Sequence, residues 1–361
     1  MTETVGPLFV DAVVVLSGMK KSTFKKLQIA SLVAGLALFV YLIYQTGIST
    51  LARYMGLIGW GAGAILALSA LRNCARAGSW YFSIEPEHRG LGFWTILNVM
   101  LAGEAIKYLT ATGPLLSEPA KAAIVRRRMP LLYGVSSVVV ENLIYYLSVL
   151  IFMLAGVPAL AWLPQVPDGL MMAGYIVACV IILSLAGGWL AMRRRWYALS
   201  ALLNRLGRRM ASRRERLEVM ASRTRSLEEN VYSFYERQRG AFYLILALNL
   251  SAHLINVVEV YFILALMQLP ASIEAGFVIE AVTKVINMAF FFVPARAGVY
   301  ESGNALVFGA LGMGAGAGVA LAIIRKLRAL VWAGYGLVAI AFITMRERNA
   351  NASDGEDSSA G

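Results

Sequence analysis

The chain has 361 residues, of which 59% are hydrophobic and 15% are charged, with two cysteines and two histidines. This composition excludes a soluble globular protein, and the histidines are too few for a histidine-rich metal site or a catalytic triad. We therefore expect no cofactor. Several apolar runs approach or exceed the roughly 20 residues that span a bilayer, which predicts an all-α polytopic membrane protein.

The net charge of +12 is concentrated in one segment. Residues 193–240 contain thirteen arginines and five glutamates, a local net charge of +8. In a soluble protein such a segment would indicate a nucleic-acid partner. Because apolar runs flank it here, it favours the cytoplasmic face of a membrane, and no nucleic-acid partner is expected.

The amino-terminal residues do not resemble a secretory signal. The apolar stretch 5–16 contains Asp11 and lacks a leading basic region. Met19, followed by four lysines before the first long apolar run, is a more natural start, so we expect the residues before it to be dispensable. Residues 1–26 are expected to form a cytoplasmic segment.

Eight apolar runs follow along the chain. They cover residues 27–46, 57–82, 93–110, 131–155, 169–192, 241–269, 273–293 and 316–345. If all eight simply crossed the membrane, either orientation would leave basic clusters outside, against the positive-inside rule. The conflict disappears if 93–125 and 273–311 are re-entrant hairpins, which leaves six transmembrane helices and both termini in the cytoplasm.

This topology predicts an inverted repeat. Residues 27–155 and 169–345 would each contain two spans, a hairpin and a span, in opposite orientations within one membrane domain, 27–345, of the cell inner membrane. Such repeats are common in transporters, whose sites lie where broken helices meet near the midplane. The polar segment 346–361 is predicted to be disordered.

The basic loop 193–240 also has apolar residues at helical spacing. One interpretation is an amphipathic helix lying on anionic lipid. The other is a helical hairpin packed on the protein. The sequence leaves both open.

The first hairpin contains two acid–lysine pairs. Glu104 and Lys107 share a helix face, and a break at Gly113–Pro114 ends that helix. Glu118 and Lys121 then lie in the first turns of the next helix, whose free amide hydrogens suit an anion such as phosphate. The alternative is an ordinary surface loop with a solvated ion pair.

The second hairpin repeats this arrangement. Glu280 and Lys284 lie on one polar stripe, the run breaks near Pro294, and Arg296 and Glu301 follow. Arginine at a break can hold a phosphate with two hydrogen bonds, and Glu301 can balance its charge or take a proton. The alternative is a structural Arg296–Glu301 ion pair that only fixes the turn.

Other charged or polar stripes interrupt the apolar runs. A stripe in the second run contains Arg72 and Arg76, which can snorkel to the cytoplasmic surface. His253 belongs to a stripe in the sixth run and is interpreted as a packing residue. Arg325 opens a basic cluster in the last run and should face the protein interior or lie near a membrane interface, since a charge exposed to lipid costs about 2.5–3.5 kcal/mol.

At these motifs the chain resembles the lysylphosphatidylglycerol-synthase transmembrane (flippase-like) family, which includes the membrane half of the bacterial multiple peptide resistance factor. Pro294-Ala-Arg-Ala-Gly298-Val-Tyr-Glu301, with Gly312 and Arg325 after it, matches the carboxy-terminal motif. Ser117-Glu118-Pro-Ala-Lys121 matches the first motif with lysine in place of arginine. Glu141-Asn142 departs from the family's Glu-Arg pair. The resemblance covers most of residues 27–345.

The resemblance implies movement of a lipid between leaflets or transport of a lipid-linked anion. The multiple peptide resistance factor also carries a soluble aminoacyl transferase domain, and the residues after Met345 are too few to form one. The synthase name is therefore not expected to describe an activity of this chain.

We expect a transporter or flippase rather than an enzyme. In this hypothesis Arg296, Lys107 and Lys121 hold a headgroup phosphate, Lys284 and Arg325 belong to the same site, and four glutamates balance the charge. Those glutamates are Glu104, Glu118, Glu280 and Glu301. The alternatives are a membrane enzyme acting on lipid phosphate or a lipid-linked sugar, and a scaffold for lipid biosynthesis. The expected partners are anionic membrane lipids, with a second copy or lipid-biosynthesis enzymes as further candidates.

Overall fold

The computed structural model describes residues 33, 37–109, 114–126, 129–161, 168–209, 214–290, 293 and 296–357. Within these residues there are thirteen α-helices, one 3-10 helix at Pro86–His88 and no strand, which confirms the all-α prediction. The helices are α1 (Ala37–Thr46), α2 (Ile48–Ile58), α3 (Gly61–Ser83), α4 (Phe93–Leu109), α5 (Pro114–Val125), α6 (Leu131–Ala161), α7 (Asp168–Arg193), α8 (Ala198–Arg209), α9 (Arg214–Arg237), α10 (Arg239–Leu266), α11 (Ile273–Ala289), α12 (Val299–Ala310) and α13 (Ala315–Asp357).

Three of the described helices are long and apolar enough to cross a membrane. They are Leu132–Leu160, Met171–Arg193 and Arg239–Leu266, and α2 with α3, bent by 74° at their junction, would make a fourth. Helices α4 and α11 are shorter, with 17 residues each, and α13 carries three basic residues close together in its apolar part. The chain is a multi-pass membrane protein, and the count of six spans stays a prediction.

Two sets of four helices share a common order, and their second and third helices have equal lengths. Helices α4 and α11 both have 17 residues, and α5 and α12, which follow them, both have 12. Helix α4 contacts α3, α5 and α13, whereas α11 contacts α10, α12 and α6. The set α3–α6 therefore corresponds to the set α10–α13, and each set packs its 17-residue helix against the last helix of the other.

A glycine permits each of these two exchanged contacts. A Cβ at Gly156 of α6 would lie 2.6 Å from the Cβ of Ala281 in α11. A Cβ at Gly336 of α13 would overlap the carbonyl oxygen of Leu101 and lie 2.8 Å from the Cβ of Ala105 in α4. Each contact thus places a glycine of the last helix of one set against the 17-residue helix of the other set.

Helices α3 and α10 pack against each other and run antiparallel. Gly61, at the start of α3, faces the side chain of Leu266 at the end of α10. Ser79, near the end of α3, accepts a hydrogen bond of 2.7 Å from Asn249 near the start of α10. A twofold operation that exchanges these helices must reverse their direction.

Two apolar clusters lie at opposite ends of α3. The first, here called the loop end, joins the end of α3 to the start of α4, the end of α5 and the start of α6 through Trp80, Leu97, Val125 and Val138. The second, the far end, joins the corresponding parts of α10–α13, together with Ile65 of α3. The start of α4 and the end of α5 therefore both lie at the loop end, whereas the start of α11 and the end of α12 both lie at the far end.

The basic segment forms a helical hairpin on the loop end. Helices α8 and α9 pack together, and α9 contacts α6 and α10, where Phe234 meets Ile144 and Ile245. The structure supports the packed hairpin among the two interpretations of this loop.

The structure differs from the sequence prediction at the carboxy terminus. Helix α13 continues to Asp357, so it includes much of the segment predicted to be disordered. Extending a helix from a packed span avoids the cost of nucleation. The predictions about Met19 and the segment 1–26 lie outside the described residues.

Candidate functional site

A cavity of about 190 Å³ lies between the two sets of helices. Side chains from α3, α4, α6, α10, α11 and α13 line it, so both halves contribute. Its polar lining consists of Arg72, Asn73, Arg76, Glu104, Lys107, Tyr108, Tyr145, His253, Asn256, Lys284 and Trp332. Such a concentration of polar side chains inside an apolar helix bundle is costly unless it serves a ligand or a pathway.

The cavity carries an excess of positive charge. Among the described residues four cations line it, Arg72, Arg76, Lys107 and Lys284. The carboxylates of Glu141, Glu104 and Glu280 pair with the last three, which leaves a net charge of +1 with neutral histidine. In a medium of low dielectric this uncompensated charge favours an anion over water.

Three of the four cations are held by carboxylates. Arg76 lies 3.1 Å from Glu141, and Lys107 lies 3.2 Å from Glu104. Lys284 lies 2.8 Å from a carboxylate oxygen of the helix residue four positions before it, Glu280. These pairs fix the cations in position and reduce the cost of burying them.

Arg72 differs from the other three. Its guanidinium donates a hydrogen bond of 2.9 Å to the side-chain oxygen of Asn73, and among the described residues it has no carboxylate partner. Arg72 is therefore the cation that a bound anion would neutralise most directly.

Several polar atoms around the cavity are buried without a hydrogen-bond partner among the described residues. They are Nδ2 of Asn73, Nε of Arg76 and Oδ1 of Asn256. Leaving such a group unsatisfied costs about 1–3 kcal/mol, so a ligand that bonded to these atoms would recover that energy. Two donors and one acceptor match a headgroup that has both anionic oxygens and a hydroxyl group.

Aromatic rings hold the polar lining in place. The Arg76 guanidinium lies 3.9 Å from the ring centroid of Tyr145. His253 is nearly fully buried, packs against Tyr145 and Phe152, and has its Nε2 atom 3.1 Å from the hydroxyl of Ser148. His253 thus packs as predicted and also lines the cavity.

A buried charge network lies behind Lys284. Arg325 donates to Glu280 at 2.6 Å and to Glu259 at 3.4 Å, and Arg328 pairs with the other oxygen of Glu259. The side chains of Glu259, Glu280 and Arg325 are 0%, 2% and 5% exposed. The three basic residues that interrupt the apolar part of α13 therefore face the interior, as the sequence predicts for Arg325.

The first helix pair has its own ion pair close to the cavity. Lys121 of α5 lies 3.0 Å from Glu118, which also accepts a hydrogen bond from Asn142 at 2.8 Å. A Cβ at Gly103 of α4 would lie 2.6 Å from the Lys121 side chain, so the glycine gives this lysine its place against α4. Glu118 and Lys121 do not line the cavity among the described residues.

The structure does not pair Arg296 with Glu301. Glu301 is fully buried and lies 2.5 Å from Nζ of Lys326 on α13. Arg296 has a positive φ of 48°, a strained backbone for a residue other than glycine, and its Nε atom has no partner among the described residues. The alternative of a structural Arg296–Glu301 ion pair is therefore not seen, because the acid finds its partner on α13.

Of the nine predicted site residues, Glu104, Lys107 and Lys284 line the cavity. Glu280 pairs with Lys284, and Arg325 pairs with Glu280. The remaining four, Glu118, Lys121, Arg296 and Glu301, do not line it. The predicted breaks at Gly113 and Pro294 lie outside the described residues.

Four residues of the cavity lining were not predicted as site residues from the sequence: Arg72, Arg76, Tyr145 and Asn256. The interpretation that the two arginines snorkel to the surface is wrong, since both line the interior cavity. Their signal was present as polar stripes at helical spacing, but a stripe alone does not show whether it faces a cavity or the surface.

Comparisons with known proteins agree with the resemblance seen in the motifs. The family model described as "Lysylphosphatidylglycerol synthase TM region" matches residues 28–336. No curated protein and no solved structure matches at the threshold used.

Proposed function

We propose that this chain, which belongs to the lysylphosphatidylglycerol synthase transmembrane family, moves a phospholipid-like or lipid-linked anionic substrate between the leaflets of a membrane. The observation that carries the proposal is the cavity between the two helix sets, with four cations, one carboxylate and unpartnered polar atoms in its lining. The family supports a lipid-related role in the membrane.

The headgroup would occupy the cavity while the acyl chains stay in the surrounding hydrocarbon. A volume of about 190 Å³ suits a small headgroup and is too small for a whole lipid. Arg72, Arg76, Lys107 and Lys284 would hold the phosphate. The carboxylates of Glu104, Glu141 and Glu280 would offset most of the positive charge when the cavity is empty. Because these residues come from both helix sets, a bound headgroup would draw the sets together.

We further propose that the two helix sets form an inverted repeat with two re-entrant hairpins and six transmembrane helices. The equal helix lengths, the exchanged contacts at Gly156 and Gly336, and the antiparallel α3–α10 pair support a twofold axis in the membrane plane. The outer ends of the pair α4–α5 and of the pair α11–α12 lie at opposite ends of α3. This supports two re-entrant hairpins that enter the membrane from opposite faces.

This topology places the basic loop and both termini on the cytoplasmic side of the inner membrane. Alternating access would then be a rocking of one helix set against the other around the α3–α10 pair, with the cavity as the fixed site. The ion pairs that hold the cavity cations stay within one set, so they need not break during this motion.

The proposal is tested with purified protein in liposomes that carry a fluorescent phosphatidylglycerol in both leaflets. A quencher added outside removes the outer-leaflet signal, and exchange appears as loss of the protected half. We expect fast exchange of phosphatidylglycerol, slower exchange of phosphatidylcholine, and none in liposomes without protein. Equal rates for all headgroups, or none above the protein-free rate, would reject the proposal.

The same samples separate the enzyme alternative from transport. Lipid extracts taken before and after the assay are compared by mass spectrometry. Unchanged lipids with rapid exchange support transport, whereas a new lipid product in protein-containing liposomes would favour an enzyme acting on the headgroup.

A further inference from the structure

We infer that the groove between α8 and α9 is a second anion site, which binds the phosphate headgroup of an anionic phospholipid at the membrane surface. The groove encloses about 680 Å³. Four arginines line it, Arg195, Arg205, Arg208 and Arg225, with Glu218 as the acidic residue of the lining. It lies in the basic hairpin, outside the cavity proposed for transport.

Two of the four arginines are held in place by the protein. Arg195 donates two hydrogen bonds to Glu236, at 2.7 and 2.8 Å, from a backbone position with a positive φ of 46°. Arg225 lies 3.3 Å from the ring centroid of Tyr197. Fixed guanidinium groups lose little conformational freedom when they bind a phosphate, which makes the groove a prepared site rather than a mobile charged surface.

The other two arginines are available to a ligand. Arg205 and Arg208 are exposed, and no described residue forms an ion pair or hydrogen bond with either side chain. They are three positions apart on α8 and so lie on one helix face. Guanidinium groups in this arrangement can hold the two free oxygens of a phosphodiester.

The position of the groove favours a lipid over a soluble phosphate compound. The apolar helix Met171–Arg193 ends just before it. Trp189 in the last turns of that helix and Trp196 beside the groove are 60% and 52% exposed. Exposed tryptophans next to the end of an apolar span are typical of the headgroup layer of a membrane. The groove would therefore meet the surface of an anionic leaflet.

The test uses the full chain in a neutral detergent, titrated with short-chain phosphatidylglycerol, short-chain phosphatidylcholine or glycerol phosphate. Hydrogen–deuterium exchange of the peptides covering 195–208 and 217–225 reports binding at the groove. We expect protection by phosphatidylglycerol only. The substitutions Arg205→Gln and Arg208→Gln each remove one groove arginine and should each weaken the apparent binding of phosphatidylglycerol by about tenfold.

Two controls separate this site from general charge effects and from transport. Arg223→Gln removes the same charge from an exposed position of α9 outside the groove and should bind as the unsubstituted protein does. Arg72→Gln, in the cavity, should also leave groove protection unchanged. The inference would be overturned if binding weakened equally in Arg223→Gln, or if glycerol phosphate protected the groove as strongly as the lipid does. It would also be overturned if none of the three compounds gave protection. A failure of leaflet exchange would not affect this result.

Discussion

Replacing Arg72 by glutamine separates a role in binding from a role in stability. The change removes the one cavity cation that no carboxylate offsets, and it leaves no carboxylate without a partner, because Arg72 forms no ion pair among the described residues. A charge-assisted hydrogen bond contributes about 1.5–3 kcal/mol, so headgroup affinity should fall by about 10- to 150-fold. With labelled phosphatidylglycerol below saturation, the exchange rate in liposomes should fall at least about tenfold.

The stability of the same variant should not fall. A buried cation without a carboxylate is costly, so its replacement by a neutral amide should leave the thermal midpoint in detergent unchanged or raise it. Arg76→Gln is the contrasting variant, because it leaves the buried Glu141 without its cation and should lower both exchange and stability. Arg53→Gln removes one exposed charge outside the cavity and serves as the control. Normal exchange in Arg72→Gln, or a clear drop in its thermal midpoint, would refute the assignment of Arg72 to the headgroup site.

Three further predictions test the fold. Arg325→Met leaves the buried Glu280 with Lys284 alone and the buried Glu259 with Arg328 alone, and should destabilise the protein by about 1.5–3 kcal/mol in thermal unfolding; unchanged stability would argue against the charge network. In a background without natural cysteines, Glu87→Cys and Arg126→Cys flank the first helix pair and should react with an impermeant maleimide from the same side of the membrane, whereas labelling from opposite sides would rule out a re-entrant pair. Gly336→Ala should destabilise by about 1–3 kcal/mol because its Cβ meets another helix, while Gly334→Ala, which has open space around it, should be neutral or stabilising by up to about 1 kcal/mol. Equal effects of the two alanines would contradict the close contact.

Part of the site could be predicted because charges in apolar sequence are rare and costly. That rule alone identified Glu104, Lys107 and Lys284, all of which line the cavity. It could not rank them against Arg296 and Glu301, which the family motif favoured but which do not line the cavity among the described residues. A motif shows which residues a family uses, whereas the cavity depends on which helix faces meet.

The sequence also did not show which charged residues form ion pairs between helices. Sequence spacing correctly paired Glu104 with Lys107 and Glu280 with Lys284, since both pairs lie on one helix face. The same spacing offered an Arg296–Glu301 pair as an alternative, which is not observed because Lys326 approaches that acid from a helix later in the chain. Local spacing fixes contacts within a helix and does not fix contacts between helices.

The sequence by itself determined that this protein is an all-α membrane protein of a lipid-related family, because apolar length, helical periodicity and short motifs are local properties. Only the tertiary structure decided that Arg72 and Arg76 face a cavity and that each helix set packs its 17-residue helix against the other set. The glycine contacts join Gly156 to Ala281 and Gly336 to Leu101, which are 125 and 235 positions apart in the chain, and the role of these glycines is visible only when both backbones are in place. The physical reason is that a helix pattern specifies which side is polar, and packing alone specifies what that side meets.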